Sequence, residues 1–247
     1  MASTRPERCL VLWDVDHTLI DNGGVSKEIY LLAFEHLSGS PPDQRPRTGG
    51  RTDPLIMRDL WLAHGLDREA FDWQAAYRAL VSAGEAKSSE LRARGHALPG
   101  ALAVLRRLAH DEFVVQSALT GNVRENARVK LAAFGLDEYL DLEVGAFGSD
   151  DDVRARLVPV AQARADHKYG AAPAGRTAVL VGDTPRDVEA GARGGAHVLG
   201  VATGSTTERE LLDAGADEVL PGLEDTDAVM AAVHRLGRRA VRPLPVA

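Results

Sequence analysis

The chain has 247 residues, 45% of them hydrophobic and 26% charged, with a formal charge of −7. That composition suits one large or two small globular cores and excludes collagen-like, disordered and coiled-coil classes. The 29 Lys and Arg against 36 Asp and Glu leave no basic surface of the kind that counterion release on nucleic acid requires. Cys9 is the single cysteine, which excludes an internal disulfide, and no apolar run reaches signal-peptide or membrane-span length. A cytoplasmic protein without nucleic-acid or membrane partners is the expectation.

Cys9 to Trp13 is a continuous apolar run ending in Asp14-Val15-Asp16, which predicts a strand buried on both faces with acids at its carboxyl end. The next roughly eighty residues contain no convincing strand, far more than a βα connection needs, so they form an insertion. Amphipathic helices are predicted over Ser26 to Leu37, Asp53 to His64, Arg68 to Ala83 and Glu85 to Arg94. Between the first two, Ser38 to Arg51 is rich in Pro, Gly and Arg and reads as a loop, either solvated or facing a substrate. Asn22 to Ala97 carries ten basic and ten acidic residues, so the insertion is neutral and the excess negative charge belongs to the rest of the chain.

After Pro99-Gly100, Leu102, Leu105 and Leu108 mark a helix, and Phe113 to Leu119 is a second buried strand ending in Thr120-Gly121-Asn122. A helix over Val123 to Phe134 follows, closed by Gly135. Thr177 to Val181 is the third such strand, ending in Gly182-Asp183-Thr184; His197 to Val201 and Glu218 to Leu220 are later ones, and Arg238 to Ala247 reads as a loosely held tail. Five strands alternating with helices predict a doubly wound parallel α/β sheet, built from 1–21 and 98–247, with an all-helical domain inserted over 22–97. Ligands of such sheets bind beyond the carboxyl ends of the strands, where this chain places its polar clusters.

Two carboxylates two residues apart at a strand end, Asp14 and Asp16, meet in a small volume and repel. An all-oxygen site of this kind suits Mg²⁺, with Asp183 as a further ligand and Asp187 placed to ligate or to orient a ligand. Thr120, Gly121 and Asn122 open a helix where hydroxyl, amide and backbone N–H groups can cradle an anion; the alternative is a plain helix cap by Asn122.

The segments LVLWDVDHTLI, VVQSALTGN and AVLVGDTPRD together resemble the hallmark motifs of the haloacid dehalogenase superfamily, in order and across nearly the whole chain. The position of the insertion is similar to the family's helical-cap class, that of phosphoglycolate phosphatase and related small-molecule phosphatases. The resemblance implies that Asp14 is a nucleophile forming an aspartyl-phosphate, Asp16 a general acid and base, and Thr18 a support for the Asp16 turn. Mg²⁺ would be held by Asp14, the Asp16 carbonyl and Asp183, and Thr120 with its neighbours would bind the phosphoryl group. Asp16 also implies a phosphatase in preference to a dehalogenase.

Where the family places a lysine ahead of the third motif, this chain has Arg154 and Arg156. Aligning Tyr169-Gly170 with the family's usual pair favours Arg156, with Arg154 close behind; the alternative leaves both on the surface and brings Lys168 back to the site. His17 stands where glycine is frequent. Arg51, in Gly50-Arg51-Thr52-Asp53, resembles a substrate-facing position of capped members, or forms a local ion pair. A phosphonatase would need Lys27 or Lys87 as an amine in an apolar pocket. The expected function is a Mg²⁺-dependent phosphatase of a small phosphorylated metabolite, monomeric or homodimeric. The alternatives are a dehalogenase or phosphonatase, or a catalytically weak binding protein on the same fold.

Overall fold

The computed structural model describes residues 8–172 and 175–241. Met1 to Glu7 and most of the tail lie outside the described residues.

The sheet is parallel throughout, in the order β5-β4-β1-β6-β7-β8. Its strands are β1 (Cys9–Trp13), β4 (Val114–Thr120), β5 (Ala146–Phe147), β6 (Ala178–Gly182), β7 (His197–Val201) and β8 (Glu218–Leu220). β1 is central, paired with β4 on one side and β6 on the other, and all five of its residues are buried. Alternation along β1 divides the core: Cys9, Val11 and Trp13 face one layer, Leu10 and Leu12 the other.

The first layer comprises α5 (Ala101–Ala109), α6 (Arg124–Ala132) and α10 (Thr226–Gly237), through Val104, Leu105, Leu131, Val229 and Val233. The second comprises α7 (Arg154–Tyr169) and α8 (Pro185–Gly194), through Leu157, Val158, Ala161 and Ala190. A short helix α9 (Glu208–Asp213) packs on β7 through Leu211. Burial of both faces is why β1 and β6 read as unbroken apolar runs, while β4 also buries Gln116 and Ser117, which are hydrogen-bonded to Trp13 Nε1, Leu105 O and Asp141 O.

Four helices stand between β1 and α5: α1 (Val25–Ser38), α2 (Asp53–Ala63), α3 (Trp73–Ala86) and α4 (Ser88–Arg94). They enclose their own core, with Ile29, Phe34, Met57, Leu60 and Leu80 at its centre, and this core also takes in Val123 beside α6. A two-stranded antiparallel ribbon, β2 (Ile20–Asp21) with β3 (His96–Ala97), ties the two ends of the insertion together.

Several local expectations are corrected. The segment expected as one helix over Arg68 to Ala83 is a single 3₁₀ turn, Arg68–Ala70, followed by α3, because Asp72 accepts from Gln74 N at 2.8 Å and starts a new helix. Glu85 belongs to α3, and α4 begins only at Ser88. Leu102 is exposed, the inward face of α5 being Ala101, Val104, Leu105 and Leu108. Strands β2, β3 and β5 have only two residues each, too few to show a period in the sequence.

Candidate active site

At the carboxyl ends of β1, β4 and β6 lies a cavity of about 280 Å³. The core lines it with Asp14, Asp16, His17, Thr120, Gly121, Asn122, Arg154, Asp183 and Thr184; the insertion adds Ser26, Lys27, Tyr30, Ile56 and the loop Thr48 to Arg51.

Asp14 follows β1, and its N–H donates to Val181 O at 2.9 Å, extending the sheet by one bond and aiming the side chain beyond the strand ends. Its Oδ1 accepts from Arg154 Nη2 at 2.6 Å; Oδ2 makes no hydrogen bond. The same Arg154 nitrogen lies 2.5 Å from Asp187 Oδ1. Asp187 Oδ2 accepts from the Thr184 hydroxyl at 2.6 Å and the Thr184 N–H at 3.1 Å, closing a capping box at the start of α8. Asp183 Oδ1 accepts from the Thr18 hydroxyl at 3.2 Å, and its Oδ2 is free of hydrogen bonds. Oxygen atoms of Asp14, Asp183 and Asp187 lie within 4.8 Å of one another.

Three buried carboxylates against one guanidinium leave a local charge of −2 when all are ionised. Burial pushes the carboxyl of Asp14 up to about 7, with Arg154 opposing and Asp187 and Asp16 reinforcing the shift. Asp183 is pushed up to about 8 by burial and by the charges of Asp14 and Asp187. A divalent cation with hard oxygen ligands is the group such a surplus accommodates, and the carboxylates of Asp14 and Asp183 are its natural donors. Asp187, grouped with the metal residues on sequence grounds, stands in this cluster with Asp14 and Asp183, its Oδ1 bonded by Arg154 and its Oδ2 by Thr184.

Asp16 leads a separate network. Its Oδ1 accepts from Asn22 Nδ2 at 2.7 Å and Ser26 Oγ at 3.1 Å; its Oδ2 accepts from Asn122 Nδ2 at 2.8 Å and Lys130 Nζ at 2.6 Å. Burial alone would raise this carboxyl, but the charge of Lys130 and the hydrogen bonds hold it well below the usual carboxylate range. Asp14 and Asp16 share the cavity as expected, each facing its own cation.

Asn122 is not a cap. Besides Asp16 it donates to Thr120 Oγ1 at 2.7 Å and accepts from Lys130 Nζ at 2.7 Å, while the first free N–H of α6, on Val123, is taken by Asp53 Oδ2 at 2.8 Å. Asp53 heads α2, so this bond fastens the insertion to the core. Tyr30 Oη donates to Asp53 Oδ1 at 2.7 Å, and Asp53 N–H donates to Gly121 O at 2.7 Å. The approach is close enough that a Cβ on Gly121 would lie 2.1 Å from Arg51 O, which explains the glycine.

The third-motif assignment is corrected in favour of Arg154. Arg154 is the first residue of α7, 9% exposed and bonded to Asp14; Arg156, two positions on, turns to the opposite side, is 69% exposed and meets only Asp151 at 3.6 Å. Lys168 is also out of place for the site, paired with Asp141 and Glu143 on the surface. α7 and α8 pack closely because position 194 carries no side chain: a Cβ on Gly194 would sit 2.5 Å from Ala155 O. That contact brings Arg154 to Asp187.

Arg51 lines the cavity, but its Nη2 is bound to Asp59 Oδ2 at 2.5 Å. His17 has φ +64°, the left-handed conformation that makes glycine the common residue there, and its carbonyl is held by Thr203 Oγ1 at 2.6 Å.

Lys130 is the functional residue that reading the sequence missed. It is 1% exposed and lies on α6 one turn after the buried Asn126, with the buried Asn122 just ahead of the helix. On a surface helix such residues face water; here Lys130 and Asn122 bond Asp16, and Asn126 donates to Leu80 O at 2.9 Å.

Known structures share this architecture over nearly the entire chain. A hydrolase from Pseudomonas syringae superposes with a TM-score of 0.64 at 21% identity, covering 92% of this chain and 99% of its own. A predicted phosphatase from Clostridium acetobutylicum gives 0.62 at 17% identity, covering 91% and 99%. A phosphonoacetaldehyde hydrolase-like protein from Oleispira antarctica gives 0.60 at 17%, covering 96% of each chain. These likenesses establish the fold; no curated protein is significantly similar in sequence. Among the described residues no helix is long and apolar enough to cross a membrane. The family model for haloacid dehalogenase-like hydrolases matches residues 11–192, from the β1 strand before Asp14 to the α8 helix behind Asp187, and the chain belongs to that family.

Proposed function

We propose that this hydrolase is a phosphatase acting on a small phosphomonoester through an aspartyl-phosphate on Asp14, with the insertion at 22–97 serving as a cap over a core formed by 1–21 and 98–247. The observation that carries the reading is the state of Asp14: one carboxylate oxygen held by Arg154 at 2.6 Å, the other unbonded and facing a cavity shared with Asp16, Thr120 and Asp183.

Asp14 Oδ2 attacks phosphorus and the bond to the leaving oxygen breaks. Asp16, ionised at rest beside Lys130, takes the Lys130 proton and passes it to that oxygen; it then takes a proton from the water that cleaves the acyl phosphate, which restores Asp14 and recharges Lys130. Arg154 offsets the negative charge at Asp14 and the phosphoryl group, fixed in place by Asp187. Thr120 accepts two hydrogen bonds from Asn122 and leaves its hydroxyl hydrogen for a phosphoryl oxygen. Mg²⁺, held by Asp14 and Asp183 with the Asp16 carbonyl that the family resemblance implies, would supply charge neutralisation at the phosphoryl oxygens.

Asn22 and Ser26 belong to the insertion, so two of the four donors on Asp16 move with the cap and the acid is tied to cap position. Asp16 speaks against a dehalogenase. Lys27 is exposed and Lys87 is paired with Glu28 and Glu90, so neither is the desolvated amine that a phosphonatase would use. The binding-protein alternative drew on the missing lysine, and Arg154 supplies a cation at that place.

Acid quenching during turnover of an aryl phosphate, followed by peptide mapping, tests the proposal. A phosphoryl group on the peptide carrying Asp14, absent in Asp14→Asn, is expected; undiminished hydrolysis by Asp14→Asn would overturn it.

A further inference from the structure

Among the described residues that line the cavity, three side chains are Lys or Arg, and they differ in what already occupies them. Arg154 is bound by the carboxylates of Asp14 and Asp187. Arg51 is bound by Asp59. Lys27 has no carboxylate within salt-bridge distance and no side-chain hydrogen bond among the described residues, yet it lines the same cavity as the nucleophile. It lies in the first turn of α1, directly after Ser26, whose hydroxyl donates to Asp16 at 3.1 Å. Asp16 is the acid that protonates the leaving oxygen in the mechanism above. Lys27 therefore enters the site from the insertion, beside the network around Asp16.

The rest of the lining narrows the leaving group further. At about 280 Å³ the cavity falls below the range of roughly 300–1,000 Å³ usual for drug-sized ligands. Among the described residues that line it, Ile56 is the only aliphatic side chain, beside the ring of Tyr30. The loop Thr48 to Arg51 also lines the cavity; Arg186 binds Gly49 O, and just after the loop the Asp53 N–H donates to Gly121 O.

We infer that the alcohol released by this enzyme carries a second anionic group, a carboxylate or a second phosphate, recognised by Lys27; the substrate is a short doubly anionic phosphomonoester. This rests on the phosphatase reading. Lys27, not Arg51, is on this account the residue of the cap that selects substrate charge, because the guanidinium of Arg51 is already committed to Asp59.

Four phosphomonoesters on one two-carbon skeleton test this, bearing a carboxylate, a phosphate, a hydroxyl or an ammonium at the far carbon. Hydrolysis by wild type, Lys27→Met and Lys27→Glu is compared with Mg²⁺ present, and binding of the same four compounds to Asp14→Asn and Asp14→Asn/Lys27→Glu is followed by calorimetry. In wild type, kcat/KM for one or both anionic compounds should exceed that for the ammonium compound about tenfold or more. The ratio should fall by about fivefold to tenfold in Lys27→Met, as expected for a partly exposed ion pair, and should favour the ammonium compound in Lys27→Glu. The carboxylate and phosphate arms show which anion is preferred. A charge preference absent in wild type, or unchanged in both variants, overturns the inference. Failure of wild type to hydrolyse any of the four or an aryl phosphate counts instead against the phosphatase reading, and the calorimetric ratios then decide the role of Lys27 by themselves.

Discussion

Lys130 Nζ lies 2.6 Å from Asp16 Oδ2, and the lysine side chain is 2% exposed. An ammonium this deep is compatible with a stable fold only while its partner is ionised and near. The pair joins helix α6 of the core to the residue that the mechanism uses as acid and base.

Lys130→Met keeps the length of the side chain but strands the Asp16 carboxylate. The expected cost is about 2–4 kcal/mol in urea unfolding, at or below the usual range for a broken buried pair because Asp16 is 23% exposed on its side chain. In the cycle with Asp16→Asn, the double variant should recover at least about 1 kcal/mol of the summed losses. Strict additivity would show that the two groups do not act as a pair.

Arg154 and Arg156 should behave as opposites. Arg154→Ala removes the cation between Asp14 and Asp187 and should lower kcat by a factor of about a hundred or more, with a loss of stability from leaving two buried carboxylates uncompensated. Arg156→Ala changes an exposed group and should stay within about 0.5 kcal/mol in stability, with little change in kcat. Steady-state kinetics and thermal unfolding of both variants check this, and a larger effect at Arg156 would refute the placement of α7.

Asp53 makes stability depend on pH in a definite direction. Burial raises its carboxyl to about 6 from an unfolded value near 3.8, against the hydrogen bonds from Tyr30 and Val123. The folded state thus binds the proton more tightly, and the contribution is full below about pH 4 and lost as pH rises to about 6, by at most about 3 kcal/mol. Asp14 and Asp183 titrate in a similar range, so the readout is the difference from Asp53→Asn. Wild type should lose stability relative to Asp53→Asn between pH 4 and pH 7; a relative gain would contradict the assignment.

The strands that build the site were legible because they are buried on both faces: β1 and β6 are apolar runs, β4 is apolar but for Gln116 and Ser117, and Asp14, Thr120 and Asp183 stand where they stop. The helical insertion was legible from its length and periodicity. Arg154 was harder to distinguish from Arg156, since the sequence does not show that α7 begins at Arg154, and the first residue of a helix points differently from the third. Lys130 was hidden because a lysine on an amphipathic helix reads as solvated, and nothing in the sequence shows that Asn126, one turn before it, also turns inward. The partner of Arg51 is Asp59, two turns into α2, a contact that depends on how the preceding loop folds back.

Phosphate release from an aryl phosphate, measured for wild type and Asp14→Asn with Mg²⁺ or with a chelator, bears most directly on the central claim. Wild type with Mg²⁺ should release phosphate, and the chelator or the substitution should each abolish it, while Asp14→Asn keeps or raises the metal-free thermal midpoint because one of three crowded carboxylates has lost its charge. Release that persists in Asp14→Asn, or a large drop in its stability, would show that Asp14 is a structural residue and contradict the mechanism.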